Sequence, residues 1–148
     1  MLPNKIWHIR EQAALGSLHS LLLKALAPIG KIMNFEEMSE DEIINIANPI
    51  MDNLMTASTN IDHASHIKDF TERMKDIVTE DYLQFVCEQY QEEKGYFADR
   101  ELVAVFKRPE SAVIVWKQLF TKAKGEFVAE MVLVHHNDRY LCDHAAVF

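Results

Sequence analysis

The chain has 148 residues, 49% of them apolar and 26% charged, which bounds it to one globular domain long enough for a real core. Its net charge of −8, with no basic stripe in the part expected to fold, argues against a nucleic-acid partner. The two cysteines, Cys87 and Cys142, lie on predicted buried stripes without metal-ligand spacing, so they read as reduced core thiols in a cytoplasmic setting.

Residues 1–34 differ from the rest. Lys5, Arg10, Lys24 and Lys31 stand against Glu11 alone, a balance of +3 that leaves −11 for the remainder. Apolar residues are dense from Ala13 to Ile32, but His19, Lys24, Pro28 and Lys31 interrupt them. No run reaches the length that spans a bilayer, so no transmembrane segment is expected, and the same interruptions make a poor signal peptide. Ile6, Ile9 and Ala13, continued by Leu18, Leu22 and Leu26, outline an amphipathic extension ended by Pro28 and Gly30. Three readings stay open: a helix packed on an apolar surface, an upstream extension with Met33 as the natural start, or a targeting or membrane-surface segment.

From residue 35 a domain running to residue 148 is expected. Ser39 and Glu42 form a capping-box pattern before Ile43, Ile46, Ala47, Ile50 and Leu54. Pro49 should kink that helix or break it near Asn48, and residues 58–60 should end it. Asp62 or Ser65 starts a second helix with Ile67, Phe70, Met74 and Ile77 as its stripe. Thr79 caps the longest-range organiser of the chain, whose stripe is Leu83, Val86, Cys87 and Tyr90 and whose stop is Lys94-Gly95. The period then changes. Strands are predicted over about 97–107, 112–121, 127–136 and 140–148, joined by short turns, hence as antiparallel neighbours. Helices followed by such a meander make an α+β fold.

A four-residue Lys122–Gly125 loop predicts Lys117 opposite Glu130 and Trp116 opposite Met131. A two-residue Asn137-Asp138 turn sets Met131 against His144 and Leu133 against Cys142. One face then carries Trp116, Gln118, Met131, Cys142, His144 and Phe148 and should meet the helices. The other carries Val115, Lys117, Leu119, Val128, Glu130, Val132, Asp143 and Val147; it is apolar enough to need a cover.

Residues 36–148 resemble the nuclear-transport-factor-2-like (cystatin-like) superfamily, in particular its small members without an early hairpin. The resemblance rests on the Asn60-Ile61-Asp62 corner, Phe70 and Met74 in DFTERMKDIVTEDYL, Gly95, and the strands AVIVWKQLF, EFVAEMVLV and RYLCDHAAVF. It implies helices packed into the concave face of a curved sheet, a cone. It also implies frequent homodimers through the sheet. Members include isomerases, polyketide cyclases, dehydratases, ligand-binding modules and dimerisation domains, so the fold chooses no activity.

Few residues invite chemistry. His63 and His66 are spaced i, i+3, but a solvated helix start explains them better than a metal does. His135-His136 and Asp143-His144 are neighbours on strands, so alternation points each pair to opposite faces unless a bulge intervenes. His144 remains as a catalytic candidate in the cone, where it would act as acid or base in ketosteroid-isomerase-like or cyclase-like chemistry; a core histidine is the plainer reading. Trp116, Gln118, Met131, Tyr140 and Cys142 would line that pocket. With only four glycines and no phosphate-loop, dinucleotide or nucleophile-elbow motif, no cofactor or metal is expected. The expected function is a noncatalytic dimerising module that holds a small apolar ligand; a cofactor-free isomerase, cyclase or dehydratase is the alternative.

Overall fold

The first helix, α1 (Glu40–Asn60), starts where its capping box predicts: the Ser39 hydroxyl accepts from the Glu42 amide at 3.2 Å, and the Glu42 carboxylate accepts from the Ser39 amide at 2.8 Å. The Ser39 amide, and the Ser39 hydroxyl donating at 3.0 Å, hold the Glu42 carboxyl below its ordinary pKa. The computed structural model containing it describes residues 33–148, so the expectations for the amphipathic extension fall outside the described residues. Pro49 does not break α1, which runs on to Asn60 and ends on Ile61 in the left-handed region at φ 52°.

The helix expected after Asp62 is two shorter ones. α2 (His63–His66) is a single turn capped by Asp62, and α3 (Glu72–Ile77) is capped by Thr71. Between them Phe70 leaves helical geometry to bridge Cys142 in parallel: the Cys142 amide donates to the Asp69 carbonyl at 2.7 Å and the Thr71 amide to the Cys142 carbonyl at 3.1 Å. α4 (Glu80–Lys94) has Thr79 as its N-cap and buries the predicted Leu83, Val86, Cys87 and Tyr90.

Strands β1 (Phe97–Lys107), β2 (Ser111–Phe120), β3 (Phe127–His136) and β4 (Arg139–Val147) form one antiparallel sheet in the order β1-β2-β3-β4. α1 crosses β1, β2 and β3, and α3 lies against β4. The result is the expected α+β architecture, helices packed on a curved, unclosed sheet. The core between the layers takes Phe35, Ile43, Leu54, Leu83, Trp116 and Leu133, none more than 5% exposed. β2 shows the alternation plainly: Ala112, Ile114, Trp116, Gln118 and Phe120 are buried and their neighbours half-buried.

Register departs from expectation twice. In the β2–β3 hairpin Trp116 faces Ala129, Lys117 faces Val128 and Met131 faces Ile114. The shift is two residues, so both faces survive while the predicted pairs do not. Its cause lies outside the hairpin. The amides of Thr121, Lys122 and Ala123 donate to the carbonyls of Tyr96 and Lys94, so the loop spends its first residues on the α4–β1 corner. Gly95 makes that corner at φ 78°, where any Cβ would meet Thr121 Oγ1 at 2.4 Å.

The second departure is a bulge. Leu133 pairs with Cys142 as predicted, and Asn137 and Asp138 both take positive φ in the two-residue turn. Beyond Cys142 the register slips by one, so Val132 faces His144 and Met131 faces Ala145. Asp143, the extra residue, accepts from the Thr71 hydroxyl at 2.7 Å and from Arg73 at 3.2 Å. Every residue beyond it changes face: Val147 turns into the core at 4% exposure, and Phe148 is left 43% exposed.

Candidate functional site

α1 sets Met51, Leu54, Met55 and Ser58 on one stripe, spaced i, i+3, i+4, i+7. The single turn of α2 adds His66, held near α1 because Asn53 Nδ2 donates to the Ser65 carbonyl at 2.8 Å. Phe70, Met74, Phe97 and the end of β4 close a cavity around them. Counted out to its open mouth, the space between the lining atoms is about 360 Å³, yet the centre has room for no more than a water or two.

His66 is the one titratable residue on that wall. It is 3% exposed, with its ring edge-on to Phe70 at 5.2 Å between centroids. Burial depresses its pKa to about 4, and the neighbouring His63 adds to the effect. The expectation of a solvated histidine pair is therefore corrected. His66 is buried, and His63 Nε2 lies 2.7 Å from the Val78 carbonyl, which makes that nitrogen the protonated one. The break between α2 and α3 turns His66 inward, and nothing local in the sequence announces it. At neutral pH this cavity offers a neutral imidazole, a buried Ser58 and hydrocarbon.

None of the predicted pocket residues lines it. Trp116, Gln118, Met131 and Cys142 do face the helices, but they are packed solid at 2% exposure or less. Gln118 Nε2 donates to the Ala98 and Leu119 carbonyls. Tyr140, half-buried, packs against Phe35 and His135. Burial pushes the Cys142 thiol up to about 12 and the Cys87 thiol to about 11, so both are inert near neutral pH.

His144 is not beside Trp116. The bulge delivers it to the outer face, where its Nε2 sits 3.0 Å from Glu130 Oε1, both side chains partly exposed. Asp143 and His144 do not form a dyad; their partners are Arg73 and Glu130. The remaining outer-face expectations hold in position. Val115, Leu119, Val128 and Val132 are half-buried there. Lys117 bridges Glu101 at 2.9 Å and Glu126 at 3.3 Å rather than Glu130, and those two bonds raise its pKa. Sequence reasoning also missed Arg100, which reaches Asp52 at 2.6 Å and stacks over Trp116 at 5.2 Å. Among the described residues no group of three His, Cys, Asp or Glu side chains could hold a metal ion, and no helix is long and apolar enough to cross a membrane.

No protein-family model and no curated protein matches the chain. Two solved structures overlay on it in part. RPA3114, a SEC-C motif containing protein from Rhodopseudomonas palustris, is similar at 12% identity and a TM-score of 0.44, over 69% of this chain and 88% of that one. Bd1075 from Bdellovibrio bacteriovorus is similar at 11% identity and a TM-score of 0.46; the overlay spans 75% of this chain and only 44% of Bd1075. Neither overlay is deep enough to assign this chain a family or an activity.

Proposed function

We propose that residues 35–148 form a noncatalytic module of the nuclear-transport-factor-2-like type, acting in the reducing cytoplasm. On this reading it pairs with a second copy through the outer face of its sheet and takes at most a small apolar molecule in its interior. The observation that carries the reading is the chemistry of the cavity wall: one histidine, kept neutral, and hydrocarbon. Acid–base catalysis asks for two or more titratable groups converging on one cavity. The outer face supports the pairing half of the proposal, because Val113, Val115, Leu119, Val128 and Val132 leave an apolar strip there. Across a two-fold axis Lys117 of one copy has Glu130 of the other as a complement.

Among the described residues every member of the core lies between Phe35 and Val147, so a chain beginning at Met33 keeps all of these. Sedimentation of that chain at micromolar concentration should give a dimer, and Val132→Glu should give a folded monomer. A folded monomer before substitution, throughout that range, would overturn the pairing. One observation favours the enzymatic alternative: the His144–Glu130 pair has the composition of an acid–base couple, although it lies on the outer face. His144→Ala would abolish any isomerase, cyclase or dehydratase turnover that depends on it; unchanged turnover would remove that reading.

A further inference from the structure

We infer that the interior cavity takes an uncharged amphiphile, with its apolar body against Phe70 and Met74 and its polar end at Thr56 and Asn60, admitted when the Met55 side chain swings aside. This rests on the proposed reading of the cavity as a site for a small apolar molecule, and three observations lead from there to the class of molecule.

The first is a second hollow. Beside the interior cavity lies an outer one, lined by Met55, Thr56, Thr59, Asn60 and Phe97. Met55 and Phe97 line both, so they are the wall the two share. Counted out to solvent, the inner space is about 360 Å³ and the outer about 500 Å³. Each has the size of a small-molecule site, roughly 300–1,000 Å³. The pitch of α1 sets this up: Met51 and Met55 share the buried stripe, while Thr56 and Asn60, also spaced i, i+4, share an exposed one.

The second is that the two halves of the wall differ in stiffness. Phe97 is wedged among rings, its centroid 4.9 Å from that of Tyr90 and 5.1 Å from that of Phe120. A ring packed on that side has little room to turn. Met55 has three rotatable bonds and a polarizable thioether. The Thr59 hydroxyl donates to its carbonyl at 2.9 Å, so the backbone is tied and the side chain is the part that moves. Met51 and Met74 also face the inner space. The tight centre is therefore bounded by thioethers, which repack more readily than stacked rings.

The third is chemistry. Among the described residues no Asp, Glu, Lys or Arg lines either hollow, and the His66 ring is uncharged at neutral pH. A carboxylate or ammonium taken inside would lose its water without gaining a partner. The outer hollow adds hydroxyl and carboxamide groups from Thr56, Thr59 and Asn60. A plain hydrocarbon reaching that far would cover these groups without replacing their bonds to water. A molecule that spans both hollows therefore needs hydrocarbon at its inner end and a hydroxyl or amide at its outer end.

NMR of the full chain with labelled methionine methyls, titrated with octanol, octanoate and xenon, tests this. Octanol should shift the methyls of Met51, Met55 and Met74 and the Asn60 side-chain amide together. Octanoate should bind about tenfold more weakly. Thr56→Val combined with Asn60→Ala, both at exposed positions, should weaken octanol about threefold to tenfold and leave xenon, a purely apolar probe, unchanged. Met55→Ile, close in volume but branched and stiff, should slow octanol entry about tenfold. Three results would overturn the inference: octanol that moves Met55 and Asn60 but neither Met51 nor Met74, which would place it on the surface; octanoate bound as tightly as octanol; or an unchanged entry rate in Met55→Ile. Xenon bound without octanol would also overturn it, while leaving the apolar module standing. Neither probe bound at millimolar concentration would remove both readings of the cavity.

Discussion

Lowering the pH from 7.5 to 5 should destabilise the chain through His66, and the size of the effect follows from its burial. In the unfolded chain the ring titrates near 6.5; in the folded chain desolvation holds it at about 4. Between those values the unfolded state binds a proton that the folded state refuses, so stability falls as pH falls through that window. The full effect of a shift that large is about 3 kcal/mol, and about 2 kcal/mol of it is reached by pH 5. That is a sizeable part of the 5–15 kcal/mol typical of a domain. Urea unfolding of the wild type and of His66→Leu at both pH values isolates it, since carboxylates and the other histidines titrate in both proteins. His66→Leu should lose about 2 kcal/mol less than the wild type over this interval. Equal losses would refute the reasoning and mean that the ring is charged, or solvated, in the folded state.

Three further outcomes are expected. Gly95→Ala should cost about 1–3 kcal/mol in urea unfolding, because residue 95 holds φ 78° and its new methyl would meet Thr121 Oγ1; a neutral substitution would mean the α4–β1 corner is free to relax. Thr71→Val should cost about 1–3 kcal/mol by removing both the 2.7 Å bond to Asp143 and the N-cap of α3, and unchanged stability would show that the hydroxyl holds neither the bulge nor the helix start. Ellman's reagent at pH 8 should label Cys87 and Cys142 only as fast as the protein unfolds, since both thiols are fully buried with raised pKa values; rapid labelling of either would refute their core placement.

What the sequence could and could not show divides by range. Features set by residues within a turn or two of one another were legible: the Ser39–Glu42 capping box, the Thr79 cap, the stripe of α4, the Asn137-Asp138 turn and the strand limits to within a residue or two. The errors come from distant partners. The β2–β3 register was set by Lys94 and Tyr96 taking the loop amides, about thirty residues upstream. The placement of His144 was set by Asp69, Thr71 and Arg73 gripping β4 from some seventy residues away. A strand read alone has strict alternation, and only the bulge makes His144 and Glu130 neighbours. The complementary chemistry of that pair was the available hint, because the regular register of a two-residue turn puts the two on opposite faces. The cavity was missed for a similar reason: His66 enters it only because Phe70 abandons its helix to bond β4.

The Phe70–Cys142 bridge has a consequence for crowding and aggregation. A four-stranded sheet normally exposes two edges on which further strands can template. Among the described residues the Asp69–Thr71 backbone occupies part of the β4 edge and no strand pairs with the outer side of β1, itself irregular between Phe97 and Arg100 and between Leu102 and Ala104. Edge-to-edge growth needs a donor and an acceptor edge on every molecule, as a chain of links needs two ends. With the β4 edge interrupted at Cys142, β1 is the edge that can pair along its length, and β1-to-β1 pairing consumes both edges, so it stops at two molecules instead of propagating into a fibre.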